Sequence, residues 1–552
     1  MSRGIRQPIK LRRLAVILVL GAAIVLDTVG ASSGASLARG AGNGHDLPHS
    51  LAISPDGTKV FVTGDSDGGL ETNLDYATIA YQAVTGKKLW IARYDGPASR
   101  DDGGEALRVS GDGTRVYVTG GTVGKKSGYD FGTFAYNAST GKRLWMARYD
   151  GPRSGDDGGE RLVVAGSPAR VFVTGSSWGG KAKGWDYATI AYDAALGKRL
   201  WVSRYDGGHN TEEWASLAAS PDGSTVFVSG GSARRDTKFD YVVIAYDSST
   251  GAQRWVARYD GPAHGFDEAT SLAVSLDGRK VFVSGYSEDA TACEDAVVIA
   301  YDAATGSQLW INRYSGAEET DARVSSLRVN LDGTKLFATG FTDDGEADGD
   351  YVTIAFNTLT GARQWVARYD GPAKGYDWSH SLALSPDGTR VFVNGESESQ
   401  RGYTQDYATV AYDAESGKEL WARRYDGPAR GDDWGGPLGV NPDGTRVFVT
   451  GYSFGKTTRT DYATLAYDSA TGQRAWLARY NGPGILCIVP YVQELPLRTA
   501  KASLRQEDCA AGKVSRVRSS VKKGLVVGQD PMPRTRLPSK SPVRLYVSRG
   551  PN

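Results

Sequence analysis

Between Leu51 and Tyr94 the chain alternates short apolar runs with turn residues, and the spacing predicts four strands. Leu51 to Ser54 is followed by Pro55-Asp56-Gly57. Then come Lys59 to Thr63, a glycine, a loop of about ten residues, Asp75 to Tyr81, the turn Thr85-Gly86, and Leu89 to Tyr94. Pro-Asp-Gly and Thr-Gly between apolar runs are tight-turn chemistry, because glycine enters positive φ without strain. The same unit recurs eight times, aligned on Leu51, Leu107, Leu162, Leu217, Leu272, Leu327, Leu382 and Leu438. Each unit carries one equivalent tryptophan: Trp90, Trp145, Trp201, Trp255, Trp310, Trp365, Trp421 and Trp476. A unit of some 55 residues buries too little surface to stand alone, and the pattern offers neither the helices nor the short strand period of a solenoid. The expectation is an all-β fold, an eight-bladed β-propeller of four-stranded antiparallel blades over residues 46–483.

Composition changes this picture at the two ends. Repetition makes one ring of a chain of 552 residues, a length that otherwise suggests several domains. At the amino terminus, Arg3, Arg6, Lys10, Arg12 and Arg13 precede the apolar run Leu14 to Leu26 and then small residues. This reads as a signal peptide over 1–38, with cleavage after Ala31, Ala35 or Ala38, and a linker over 39–45. Its 13 apolar or small residues fall short of the roughly 20 that span a bilayer. The expected location is secreted or at the cell surface, with no stable membrane span unless the signal stays uncleaved. Residues 46–483 hold 45 basic against 58 acidic side chains, so the ring should not bind nucleic acid through charge. Residues 484–552 hold 13 basic against 4 acidic, abandon the repeat, and read as a disordered tail. Three cysteines, Cys293, Cys487 and Cys509, are too few for a disulfide scaffold.

The segment Ala245-Tyr246-Asp247-Ser248-Ser249-Thr250-Gly251-Ala252-Gln253-Arg254-Trp255 resembles the tryptophan-docking motif, A-x-D-x-x-T-G-x-x-x-W, of eight-bladed quinoprotein alcohol dehydrogenases and their relatives that bind pyrroloquinoline quinone (PQQ). It recurs in every unit, with Gln82, Asn137 and Asn357 replacing the aspartate and Leu196 and Ser416 the threonine. The resemblance implies that each repeated indole packs between adjacent blades, and it brings PQQ and calcium into consideration as cofactors. Pro442-Asp443-Gly444-Thr445-Arg446-Val447-Phe448-Val449-Thr450 also resembles the strand-turn-strand of lactonase-like and WD40/YVTN-like propellers. The quinone enzymes are expected to carry adjacent cysteines, and this chain has none. It also has no C-x-x-C-H, no G-x-S-x-G and no metal-type histidine cluster.

Residues repeated in every unit read as scaffold, since one site does not need eight copies. An aspartate precedes each third strand, from Asp75 to Asp461, and an Arg-Tyr pair ends each fourth, which predicts a repeated ion pair within the hairpin. A second acidic set lies between units. Its members Asp102, Asp157, Asp267, Asp377 and Asp433 are candidate ligands for a hard cation around the channel, against the plainer reading of hydrogen-bonded turn aspartates. Trp178, Trp185, Trp214, Trp378 and Trp434 break the symmetry and are the candidate ligand-face residues. The expected function is a monomeric, non-catalytic binding or interaction module that takes a small ligand or protein on the long-loop face. The alternatives are a PQQ-dependent oxidoreductase of alcohols or sugars and a lactonase-like hydrolase.

Overall fold

The computed structural model describes residues 45–551 apart from 69–73, 181–183, 209–211, 234–237, 292, 317–319, 344–348, 401, 403, 457, 483–486, 508 and 538–540. The expected signal peptide therefore lies outside the described residues. Eight antiparallel sheets each contain four strands in sequence order, so no strand is exchanged between the ends of the chain. Blade 1 consists of Asp46–Ile53, Lys59–Asp67, Leu74–Gln82 and Lys88–Tyr94. Blades 2 to 7 occupy 103–149, 161–205, 212–259, 267–314, 322–369 and 377–425. Blade 8 ends on Arg474–Tyr480. The first strands touch one another in a ring, blade 8 against blade 1, and surround a central channel.

The apolar runs explain where the core lies. Val60, Phe61 and Val62 of the second strand and Tyr76, Ala77 and Ile79 of the third are all fully buried, so both faces of a blade are covered. Their partners belong to the neighbouring blades: Phe61, Tyr76 and Trp90 pack with Leu107, Val116 and Phe134 of blade 2. Val60 and Ile79 pack with Phe448, Tyr462 and Trp476 of blade 8, and this contact closes the ring. The hydrophobic core is thus a circle of layers between blades.

Every repeated indole crosses such a layer. Its Nε1–H donates to a carbonyl of the next blade: Trp90 to Ala138, Trp145 to Ala194, Trp201 to Ser248 and Trp255 to Ala303. Trp310 donates to Thr358, Trp365 to Ala414, Trp421 to Ser469, and Trp476 of blade 8 to Ala83 of blade 1. The turn glycine receives the ring. At Gly86, with φ +71°, a Cβ would stand 2.6 Å from the Trp476 indole, so a side chain is excluded by conformation and by contact.

Two expectations are corrected. The first strands begin several residues before the aligned leucines: Asp46, Glu212, Asp267, Asp377 and Asp433, which lie between the units of the sequence, are strand residues, as are Trp378, His380 and Trp434. A register irregularity, between Pro48 and Ser50 in blade 1 and between Ser379 and Ser381 in blade 7, interrupts the alternation and hides that end of the strand. The described residues of the basic tail, expected to be disordered, carry secondary structure and a small core. Helix Leu497–Gln506 and a sheet of Ala510–Val517, Pro542–Ser548 and Val526–Asp530 enclose Ala500, Leu504, Val526, Val543, Leu545 and Val547. Cys487 and Cys509 form a disulfide within that small core. Its elements occur once each, so no period announces them, and the cross-link supplements a core of few side chains.

Residues 46–483 contain eight complete blades, and cutting the chain to them is expected to leave a compact, cooperative all-β monomer. Size-exclusion chromatography and circular dichroism check this. An insoluble product from a chain that folds at full length would mean that the C-terminal residues complete the ring.

Candidate functional site

The repeated polar residues are absorbed by the scaffold. Arg93 donates to Asp75 at 2.8 Å and to Ser66 in its own blade, and reaches the Tyr480 hydroxyl of blade 8 at 2.7 Å. Arg313 makes the same set with Asp295, Ser287 and Tyr259 of the preceding blade, and Arg479 with Asp461, Ser453 and Tyr425. The expected aspartate–arginine pair is present, and it also joins one blade to the next through tyrosine.

The inter-unit acids are buried, and their carboxylates accept backbone N–H groups. Gly96 donates to Asp102 at 2.6 Å, Gly151 to Asp157 at 2.7 Å and Gly261 to Asp267 at 2.7 Å. Gly371 donates to Asp377 at 2.6 Å, Gly427 to Asp433 at 2.5 Å, and Gly482 to Asp46 at 2.7 Å, which fastens the end of blade 8 to the start of blade 1. Burial pushes Asp46, Asp102, Asp267, Asp377 and Asp433 up to about 6, and Glu212 up to about 7. Asp157 stands within 4.8 Å of Asp130 and Asp150, Asp267 of Asp240 and Asp260, Asp377 of Asp350 and Asp370, and Asp433 of Asp406 and Asp426. Asp102 joins no such group among the described residues. These triads have a donor set suited to a hard cation, but arginine already supplies positive charge, as Arg148 does on Asp130 and Arg424 on Asp406. Backbone N–H groups and arginine satisfy part of each triad, while Asp267, Asp377 and Asp433 each keep one buried carboxylate oxygen without a hydrogen-bond partner among the described residues.

What distinguishes one part of the ring from another lies along the channel. Four residues before the aligned leucine, the first strands carry Leu47, Gly103, Gly158, Glu213, Glu268, Arg323, Trp378 and Trp434. Two residues before it they carry His49, Glu105, Glu160, Ala215, Thr270, Ser325, His380 and Gly436. Blades 6 to 8 make an aromatic wall from these positions and the adjoining second strands. Trp378 lies 5.8 Å from Phe341, 6.3 Å from Tyr376 and 5.4 Å from His380, and its Nε1–H donates to Ser325 of blade 6. Trp434 stacks on Tyr452 at 5.7 Å. All of these rings are only partly buried.

Blades 1 to 3 make a polar wall. His49 lies 3.2 Å from Asp65, and one oxygen of Glu105 falls within 4.8 Å of both. Burial opposes the imidazolium, yet the charges of Glu105 and Asp65 outweigh it and lift His49 to about 9. That histidine is therefore a cation at neutral pH, held by two carboxylates. On the far wall His380 contacts Glu396. Of the other candidates, Trp178 and Trp185 face each other across the second hairpin of blade 3, edge to face at 5.4 Å. The Trp214 side chain lies outside the described residues. Sequence reasoning missed Phe341, Tyr376, Tyr452 and His49. Comparing equivalent positions across the eight units, where each replaces a glycine, a serine or another small or polar residue, is the signal that finds most of them.

A closed ring of eight tryptophan-tied, four-stranded blades defines the protein class. The family model described as outer membrane protein assembly factor BamB, built on PQQ-like repeats, matches in overlapping windows over residues 75–296, 186–349, 240–404 and 348–534. The chain belongs to this PQQ-like repeat family. The lanthanide-dependent methanol dehydrogenase of Methylacidiphilum fumariolicum (strain SolV) is 23% identical over 451 residues, covering 75% of this chain and 63% of that protein, so the chain spans less than two thirds of that relative. Among solved structures, BamB from Moraxella catarrhalis is 16% identical, covers 74% of this chain and 91% of its own, and has a TM-score of 0.40. Quinohemoprotein alcohol dehydrogenase from Comamonas testosteroni is 14% identical, covers 78% and 75%, and has a TM-score of 0.47. Among the described residues no helix is long and apolar enough to cross a membrane.

Proposed function

We propose that the protein is an exported, non-catalytic binding module that holds a ring-bearing small ligand, such as a sugar, at the aromatic wall of its channel mouth. The observation that carries this reading is the pair Trp378 and Trp434. They occupy equivalent positions on adjacent blades and are half-buried among Phe341, Tyr376 and Tyr452, whereas the repeated indoles are spent on closing the ring. Partly exposed aromatic faces in a concave site stack on flat or weakly polar ring faces. Export is supported by the Cys487–Cys509 disulfide, a bond that persists in oxidising compartments. Tryptophan fluorescence of the full chain, titrated with a panel of oligosaccharides, is expected to give saturable quenching that Trp378→Ala weakens by about tenfold or more, the loss of one good stacking contact. Equal affinity in the two proteins would remove the aromatic wall as the site.

The second reading, PQQ-dependent oxidation of alcohols or sugars, is favoured by the methanol dehydrogenase match and by an aromatic wall able to cover a planar quinone. The fit is incomplete. No cysteine is among the residues of that wall: Cys293 lies in the second hairpin of blade 5, and Cys487 and Cys509 belong to the C-terminal core. Aromatic faces alone do not supply a metal-polarised quinone beside a general base. Adding the quinone with calcium is expected to give no dye reduction with any alcohol or sugar above a protein-free control. Saturable, calcium-dependent turnover would replace the binding reading with the enzymatic one.

A further inference from the structure

One residue after the aligned leucine, six first strands carry small or apolar side chains: Ala52, Val163, Ala218, Ala273, Ala383 and Gly439. The other two carry Arg108 and Arg328. They belong to blades 2 and 6, four apart in a ring of eight, so they project from opposite walls of the channel. Leu107 and Leu327 beside them are fully buried between blades, while both arginines are exposed. An exposed side chain at the middle of an innermost strand meets solvent inside the channel.

Among the described residues neither arginine is matched by acid. Arg108 donates Nη1 to the Leu107 carbonyl at 2.8 Å, and Arg328 donates Nη1 to the Leu327 carbonyl at 2.7 Å. Among the described residues neither forms an ion pair with a carboxylate, in contrast to the blade-end arginines such as Arg93, Arg204 and Arg479. Arg161 of blade 3 is also exposed and likewise bonds a backbone carbonyl, that of Glu160, at 3.0 Å. Burial within the ring, then the charges of Arg328 and Arg161, hold Arg108 down to about 10. Burial lowers Arg328 as well. Depth costs each guanidinium solvation although its tip still meets water, and the charges repel one another across the channel. Each retains most of its five N–H donors in a planar fork shaped for oxygen pairs.

We propose that Arg108 and Arg328 clamp a multivalent oxyanion, phosphate or a small dicarboxylate, between opposite walls of the channel, with Arg161 adding charge from the third blade. An anion with oxygens on two sides satisfies both forks at once and offsets the repulsion. This site lies deeper than the aromatic mouth and does not depend on it.

The test uses the full chain, with sodium phosphate and sodium succinate each compared with chloride at equal ionic strength, by calorimetry and thermal unfolding. At least one of the two anions is expected to bind saturably and raise the midpoint. Arg108→Gln and Arg328→Gln should each weaken that binding by about tenfold or more, and the double variant should lose it. In chloride the double variant should melt no lower than the parent, because the repulsion is relieved, and this separates a lost site from a damaged fold. Trp378→Ala should keep the anion response. Binding of phosphate alone, succinate alone or both identifies the ligand chemistry. Failure of both anions to bind above chloride, or undiminished binding in the double variant, would overturn the proposal.

Discussion

Replacing Trp421 by alanine is expected to lower the unfolding free energy by roughly 3 to 5 kcal/mol, the range for deleting a large buried aromatic side chain. The indole is 5% exposed, lies 5.8 Å from Phe392 of its own blade and 6.2 Å from Tyr467 of the next, and donates to the Ser469 carbonyl. Alanine would leave a cavity between blades 7 and 8 and a buried carbonyl without its donor. The facing Gly472, at φ +69° with its Cβ direction blocked 2.7 Å away by this ring, cannot fill the space. Trp378→Ala is the control. Its ring is partly exposed at the start of a first strand, and its loss should cost no more than about 2 kcal/mol. Chemical denaturation of both variants checks the contrast, and equal losses would contradict the assignment of Trp421 to scaffold and Trp378 to ligand.

The protein is expected to be more stable near pH 5 than near pH 8. Asp46, Asp102, Asp267, Asp377 and Asp433 are raised by burial to about 6, against an ordinary value of 3.8. Between these values the folded state binds more protons than the unfolded chain, so stability falls as pH rises through about 6. The turn aspartates act in the opposite sense. Hydrogen bonds from Ser54 and Thr58 hold Asp56 at about 2, and Asp112 and Asp387 are held likewise, so their contribution is lost as pH drops below 4. A maximum near pH 4 should follow, with the midpoint at pH 5 still several degrees above that at pH 8. Asp377→Asn, which keeps an acceptor for the Gly371 N–H but cannot ionise, should flatten the alkaline side of the curve. A midpoint that rises steadily from pH 5 to pH 8 would contradict the buried-acid account.

The eight units, their four strands, the repeated tryptophans and the aspartate–arginine pairs were legible because each local rule was written eight times. A turn such as Pro55-Asp56-Gly57 is specified by its own residues, and Gly57 takes the positive φ, +69°, that the turn requires. The candidate site was legible only in part. Trp378 and Trp434 stand out along the chain, but the wall they join includes Phe341 and Tyr376, brought beside them by the stacking of blade 7 on blade 6. The inter-unit acids look the same in sequence whether or not they are buried, and only the packed blades show that Asp102, Asp267 and Asp377 are buried and accept a glycine N–H. The small C-terminal core carries no period, because packing alone unites Cys487, Leu504 and Val543. Arg108 and Arg328 lie 220 positions apart and face each other only after the ring has closed, since opposition across a channel is a property of the circle and not of any one blade.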